Sequence, residues 1–144
     1  MEKALFLLHV AVTLIVAGMM WFVQVIHYPL LRYVGKEAFR TYEAIHTRRA
    51  IAWVVSLMVA EAITGGLLLW WRPGWLTLTQ VWVGLLLLGI VWASTMFLQV
   101  PQHHVLAVGF DERALDRLVS SNWIRTICYT GRTCLMLWII ARAL

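Results

Sequence analysis

Apolar residues dominate four stretches of this chain, at about 4–26, 50–71, 76–98 and 122–141, and the polar positions that interrupt them recur at matching depths. Each stretch is close to the ~20 residues that an α-helix needs to cross ~30 Å of hydrocarbon. Between them, 36–49 places Phe39, Tyr42, Ile45 and His46 on one face, and 111–120 gathers acidic residues at its N-terminal end. Both patterns suit amphipathic helices lying at a membrane surface. The predicted fold is therefore all-α: a polytopic membrane protein, one domain over residues 1–144, built as a four-transmembrane-helix bundle with two short cytoplasmic interfacial helices.

Composition sharpens this picture. Hydrophobic residues make up 62% of the chain and charged residues 13%, with nine Trp, a balance that excludes an ordinary soluble domain. Arg32, Lys36, Arg40, Arg48, Arg49, Arg113 and Arg117 flank one side of the spans, against Lys3, Arg72 and Arg142 on the other. The positive-inside rule then puts both termini outside, with a bacterial inner membrane as the expected setting. The net charge of +5 follows from that topology and calls for anionic lipid, not nucleic acid, as its counterpart. The first stretch is too long for a typical signal-peptide core and is read as a retained helix. Cys128 and Cys134 lie six residues apart on different faces of one helix, so they cannot bridge each other.

Two charges fall inside the apolar runs at the same depth. Glu61 and Arg132 each lie about eleven residues, or ~16 Å, from the same end of their helices. A lipid-facing Arg at the bilayer centre costs at least ~2.5 kcal/mol, and Glu61 is the sole acidic residue within any span, so a buried Glu61–Arg132 ion pair is expected. Arg132 shares its helix face with Asn122, Arg125 and Tyr129, which step by three and four residues. Such a pair either fixes helix register or serves a function.

A second polar set gathers toward the Arg-rich side. It comprises Gln24, His27 and Tyr28 at the end of the first helix, Trp92, Thr95, Gln99, Gln102 and His103 along the third, and Asn122 with Arg125 opening the fourth. Of the adjacent His103 and His104, which point apart, His103 is expected to face the site; His9, toward the opposite side, is read as a packed residue. Glu43 and His46 form a Glu-x-x-His pair, the ligand spacing of bundle metal sites. One such pair, completed by His27 or His103, supports at most a mononuclear metal. Haem ranks below that, because no two His occupy facing positions at central depth.

The run Thr95-Met96-Phe97-Leu98-Gln99-Val100-Pro101-Gln102-His103-His104, followed by Ser121-Asn122-Trp123-Ile124-Arg125-Thr126, resembles the anthrone-oxygenase-like family of small four-helix membrane proteins. The likeness covers the second half, and the first half through topology and the Tyr28-Pro29-Leu30 helix exit; His103 stands where that pattern has Asn. The resemblance implies an oxidoreductase or oxygenase acting on a lipophilic phenolic or quinone-like substrate. The first half is also faintly similar to small membrane protoporphyrinogen oxidases, through His9 and Trp21-Phe22, without a Lys in the third helix to match theirs.

In the reaction these residues permit, Gln24, Tyr28, Trp92, Thr95, Gln99, Asn122 and Tyr129 bind the substrate, His27 or His103 is the base, and Arg125 stabilises the resulting anion. That reading requires no cofactor. The alternatives are a binding or transport module for a small anionic or protonatable solute, and a structural accessory subunit; homo-oligomerisation stays open.

Overall fold

A computed structural model describes residues 1–143, nearly all of them helical. Four rods make up the chain: α1 (Glu2–Tyr33), α2 (Lys36–Leu67), α3 (Leu78–Leu106) and α4 (Glu112–Ala143). Their connections are short, and two of the starts are capped. Thr77 and Gln80 form a reciprocal capping box at α3, and the Asp111 carboxylate accepts from the Ala114 amide at α4 (2.7 Å).

Three core clusters fix an up-down-up-down order. At one end Phe6 of α1 packs with Leu68 beyond α2, Val81 of α3 and Ile139 of α4. At the other end Tyr28, Phe39, Leu106 and Leu115 meet, one from each helix in turn. Between them Val16, Met58, Val91 and Tyr129 form the middle layer. The outer surface is also apolar, with Leu7, Ile15, Trp53, Ile63, Phe97 and Ile127 all exposed. Hydrocarbon outside as well as inside is what a lipid solvent selects. Helices α1, α2 and α3 are each long and apolar enough to cross a membrane; α4 matches them in length but carries Arg113, Arg117, Arg125 and Arg132 along it.

The two interfacial helices expected from the sequence are not separate elements. Lys36–Ala50 runs on through Ile51–Val55 into Ser56–Leu67, and Glu112 to Ser120 forms the first turns of α4. Neither junction holds a Pro or Gly, so nothing stops the backbone. Packing does the rest, since Phe39 and Glu43 on α2, and Ala114, Leu115 and Leu118 on α4, are buried in the bundle. Helix α3 likewise runs beyond its expected end at residue 98, through Pro101 to Leu106.

Each of the first three rods contains one π-helical turn: Val23–His27, Ile51–Val55 and Thr95–Gln99. Pro29 and Pro101 each follow such a turn by two residues. A proline in a helix removes one N–H and crowds the carbonyl four residues earlier; the wider π turn lies where that crowding falls, so both helices continue.

Candidate functional site

Two polar layers lie inside the bundle. In the first, Glu61 Oε1 accepts from Arg132 Nη2 (2.7 Å) and from the Thr13 hydroxyl (2.7 Å), while Oε2 accepts from the Tyr129 hydroxyl (2.9 Å). Arg132 Nη1 also donates to the Gly84 carbonyl. Glu61, Arg132, Tyr129 and Thr13 are completely buried. His9, read from the sequence as a packed residue, is buried here: Nδ1 is 2.9 Å from Thr64 Oγ1 and Nε2 is 3.5 Å from Arg132 Nη2. Thr64 donates its own proton to the Ala60 carbonyl (2.8 Å), so it accepts from His9 Nδ1–H, which leaves the Nε2 lone pair facing the guanidinium. All four helices contribute, and every oxygen of Glu61 is occupied. A buried network of this kind can hold the register of the helices it joins. Tyr129 is thereby removed from the substrate-contacting role expected of it, because its hydroxyl is committed to Glu61.

The second layer borders a cavity of about 580 Å³. Its wall is largely apolar, from residues such as Met20, Val23, Ile51, Val54 and Met58, and its polar lining includes Tyr28, His46, Arg48, Gln99, His103 and Arg125, with Thr47, Thr95 and His104 also bordering it. All three π turns supply wall residues, and Ile51, Val54, Val55, Thr95 and Gln99 come from those of α2 and α3 alone. The extra residue in each turn shifts the helix face and opens space where regular helices would pack.

Arg125 is the chemical centre of this layer. It is 6% exposed, its Nε donates to Asn122 Oδ1 (2.8 Å), and Nη2 donates to the same oxygen and to the Tyr28 hydroxyl (3.2 Å). Among the described residues no carboxylate lies within ion-pair distance of it, and Nη1 has no hydrogen-bond partner. Gln24 holds the arrangement from behind: its Oε1 accepts from Asn122 Nδ2 (2.8 Å), and its Nε2 donates to the Val119 carbonyl (3.2 Å). Gln24 and Asn122 therefore orient Arg125 and do not line the cavity, contrary to the substrate-binding role expected of them.

The remaining expected residues divide. Gln99 lines the cavity, but its amide accepts from Ser94 (3.1 Å) and donates to Ser121 (2.9 Å). Thr95 also lines it, with its proton given to the Val91 carbonyl (2.8 Å). Trp92 does not reach it; its ring packs on the middle core layer and its buried indole N–H has no partner. Gln102 points to a separate surface depression beside Arg117 and Ser120. His104 shares the cavity with His103, so the expectation that only one of the two faces the site does not hold.

His27, His46 and His103 cluster with Glu43. His103 Nδ1 is 2.6 Å from Glu43 Oε1, and its Nε2 is 3.2 Å from the Tyr28 hydroxyl. His27 Nε2 is 3.1 Å from His46 Nδ1, and its ring stacks on Phe22, outside the cavity lining. Of the two candidate bases, His103 lines the cavity with both ring nitrogens in contact with Glu43 and Tyr28, whereas His27 contacts His46 and is not part of the lining. Glu43 is fully buried, and one of its oxygens, Oε2, has no partner. Ligand atoms of Glu43, His46 and His103 all lie within 4.8 Å of one another, so these three residues could hold a metal ion.

Comparison with protein-family models, with curated proteins and with solved structures finds no match to this chain.

Proposed function

We propose that this chain is a four-span membrane protein that binds a flat lipophilic molecule with a phenolic or quinone-like oxygen, and that its reaction class is oxidoreduction. In this reading α4 is the fourth span, with Arg125 and Arg132 buried inside the bundle and Arg113 and Arg117 exposed near its start. The Arg-rich end with the cavity faces the cytoplasm of a bacterial inner membrane, and both termini lie outside.

The observation that carries the reading is Arg125. A guanidinium that is almost wholly buried and lacks a carboxylate is costly unless something anionic or strongly hydrogen-bonding completes it. The cavity is the place from which such a group can arrive, and its hydrocarbon wall suits an aromatic body. Arg125 Nη1 then holds the oxygen, and the positive charge favours the phenolate over the phenol. A phenolate is the electron-rich form from which oxidation begins. Oxidoreduction itself rests on the resemblance of the 95–104 and 121–126 segments to anthrone-oxygenase-like proteins.

Titration of the detergent-solubilised chain with an alkyl-tailed hydroquinone, followed by tryptophan fluorescence, tests this. Saturable one-to-one binding that is at least about tenfold weaker in Arg125→Met supports it; binding equal in the two proteins, or absent from both, contradicts it.

A further inference from the structure

The Glu43–His46–His103 cluster has a property that the phenol site does not explain. Glu43 is completely buried, its Oε1 is taken by His103 Nδ1 (2.6 Å) and the Thr47 hydroxyl (3.1 Å), and Oε2 is sealed from solvent with no partner. A buried, unsatisfied carboxylate oxygen is unusual in a folded protein and calls for a missing donor or cation.

We infer that Glu43, His46 and His103 bind one divalent first-row transition ion beside the cavity. The donors converge from two helices, with Glu43 and His46 one turn apart on α2 and His103 arriving from α3, and their ligand atoms lie within 4.8 Å of one another. An ion that enters between Glu43 Oε1 and His103 Nδ1 replaces the proton they now share, and a carboxylate bound through both oxygens brings the unpartnered Oε2 onto the same ion. Ligand bonds of about 2.0–2.2 Å then need the two atoms to part to about 3 Å, a small movement of side-chain ends.

Each ligand already has an outer partner of the kind that orients metal ligands. His27 Nε2 contacts His46 Nδ1 (3.1 Å), which leaves His46 Nε2 to ligate. The Tyr28 hydroxyl faces His103 Nε2 (3.2 Å), and Thr47 donates to Glu43. His27 thus acquires a role that its absence from the cavity lining denied it. Two imidazoles and one carboxylate suit iron(II), zinc or manganese better than calcium or magnesium, and three protein donors leave coordination positions open. His46 and His103 both line the cavity, so those positions can face its contents. The inference goes beyond the phenol-binding reading and does not depend on it, since the ion can bind whether or not the cavity takes a phenol.

The test is a cobalt(II) titration of tag-free, detergent-solubilised full chain, read by visible d–d absorption, with elemental analysis of protein purified without added metal. The expected result is one equivalent of cobalt per chain, at least about tenfold weaker binding in both Glu43→Gln and His46→Ala, and unchanged binding in His104→Ala. Iron, zinc or manganese near one per chain in the purified protein then identifies the resident ion. Circular dichroism and elution volume establish that each variant is folded; if Glu43→Gln is not, His46→Ala decides. No cobalt binding by parent protein that elemental analysis shows to be metal-free, or parent-like binding in the folded variants, overturns the inference.

Discussion

Arg125 and Arg132 stand seven residues apart on one face of α4 and meet opposite surroundings. Arg132 is matched by Glu61, while Arg125 rests on the neutral oxygens of Asn122 and Tyr28. Glu61→Gln therefore leaves a buried cation uncompensated and is expected to cost about 3–5 kcal/mol, whereas Glu61→Leu combined with Arg132→Met recovers most of that loss. Thermal unfolding in detergent measures both, and a harmless Glu61→Gln contradicts the structural role assigned to the pair. Arg125→Met should behave in reverse, preserving the melting temperature while weakening hydroquinone binding about ten- to hundredfold, as loss of a charge-assisted hydrogen bond implies. Equal depth and the lack of any other acidic residue within a span made the Glu61–Arg132 pair legible in the sequence. His9 was not, because an imidazole can be buried neutral and nothing in the sequence forces it onto a partner. Tyr129 was misplaced for a related reason: sharing a helix face with Arg125 says nothing of which layer its hydroxyl serves.

At the scale of elements, helix type and approximate position followed from the apolar runs, but the π turns did not, because one extra residue per turn barely disturbs a hydrophobic pattern. Pro29 and Pro101 were their only trace, and the turn in α2 has no proline near it. That turn lies between the part of α2 that carries Glu43 and the part that carries Glu61. Deleting the exposed Trp53 should restore a regular α-helix and close the widened turn that supplies Ile51, Val54 and Val55 to the cavity wall, with the two parts of α2 kept nearly in phase. Helical content by circular dichroism is expected to persist while hydroquinone binding disappears; retained binding would show that the π turn has no part in building the site. Farther along α2, neighbouring glycines separate packing from propensity. A Cβ on Gly65 would stand 3.0 Å from His9 Cε1 and 3.1 Å from Leu85 Cδ2, whereas one on Gly66 meets nothing within 4 Å. Leu85 can swing aside, but His9 is held by Thr64 and Arg132, so Gly65→Ala is expected to destabilise by about 1–3 kcal/mol. Gly66→Ala should be neutral or stabilising by up to about 1 kcal/mol. Thermal melts of the two variants check the contrast.

For the whole molecule, the apolar runs and the composition pointed to a membrane setting, and three helices long and apolar enough to cross a bilayer are compatible with it. The site was half legible: spacing brought Glu43, His46, His103, Tyr28 and Arg125 into consideration, yet which of them face a common space depended on helix rotation that no periodicity count supplies. In the proposed orientation, with the Arg-rich end toward the cytoplasm, a C-terminal alkaline phosphatase fusion should be active and a C-terminal fluorescent-protein fusion dark; the opposite pattern reverses the topology. Most depends on the cavity holding an oxygen-bearing aromatic ligand against Arg125. Native mass spectrometry of gently purified parent protein and of Arg125→Met tests that directly. A non-phospholipid aromatic compound bound one-to-one to the parent and missing from the variant is the predicted result, and spectra in which both proteins carry phospholipid alone would contradict the account.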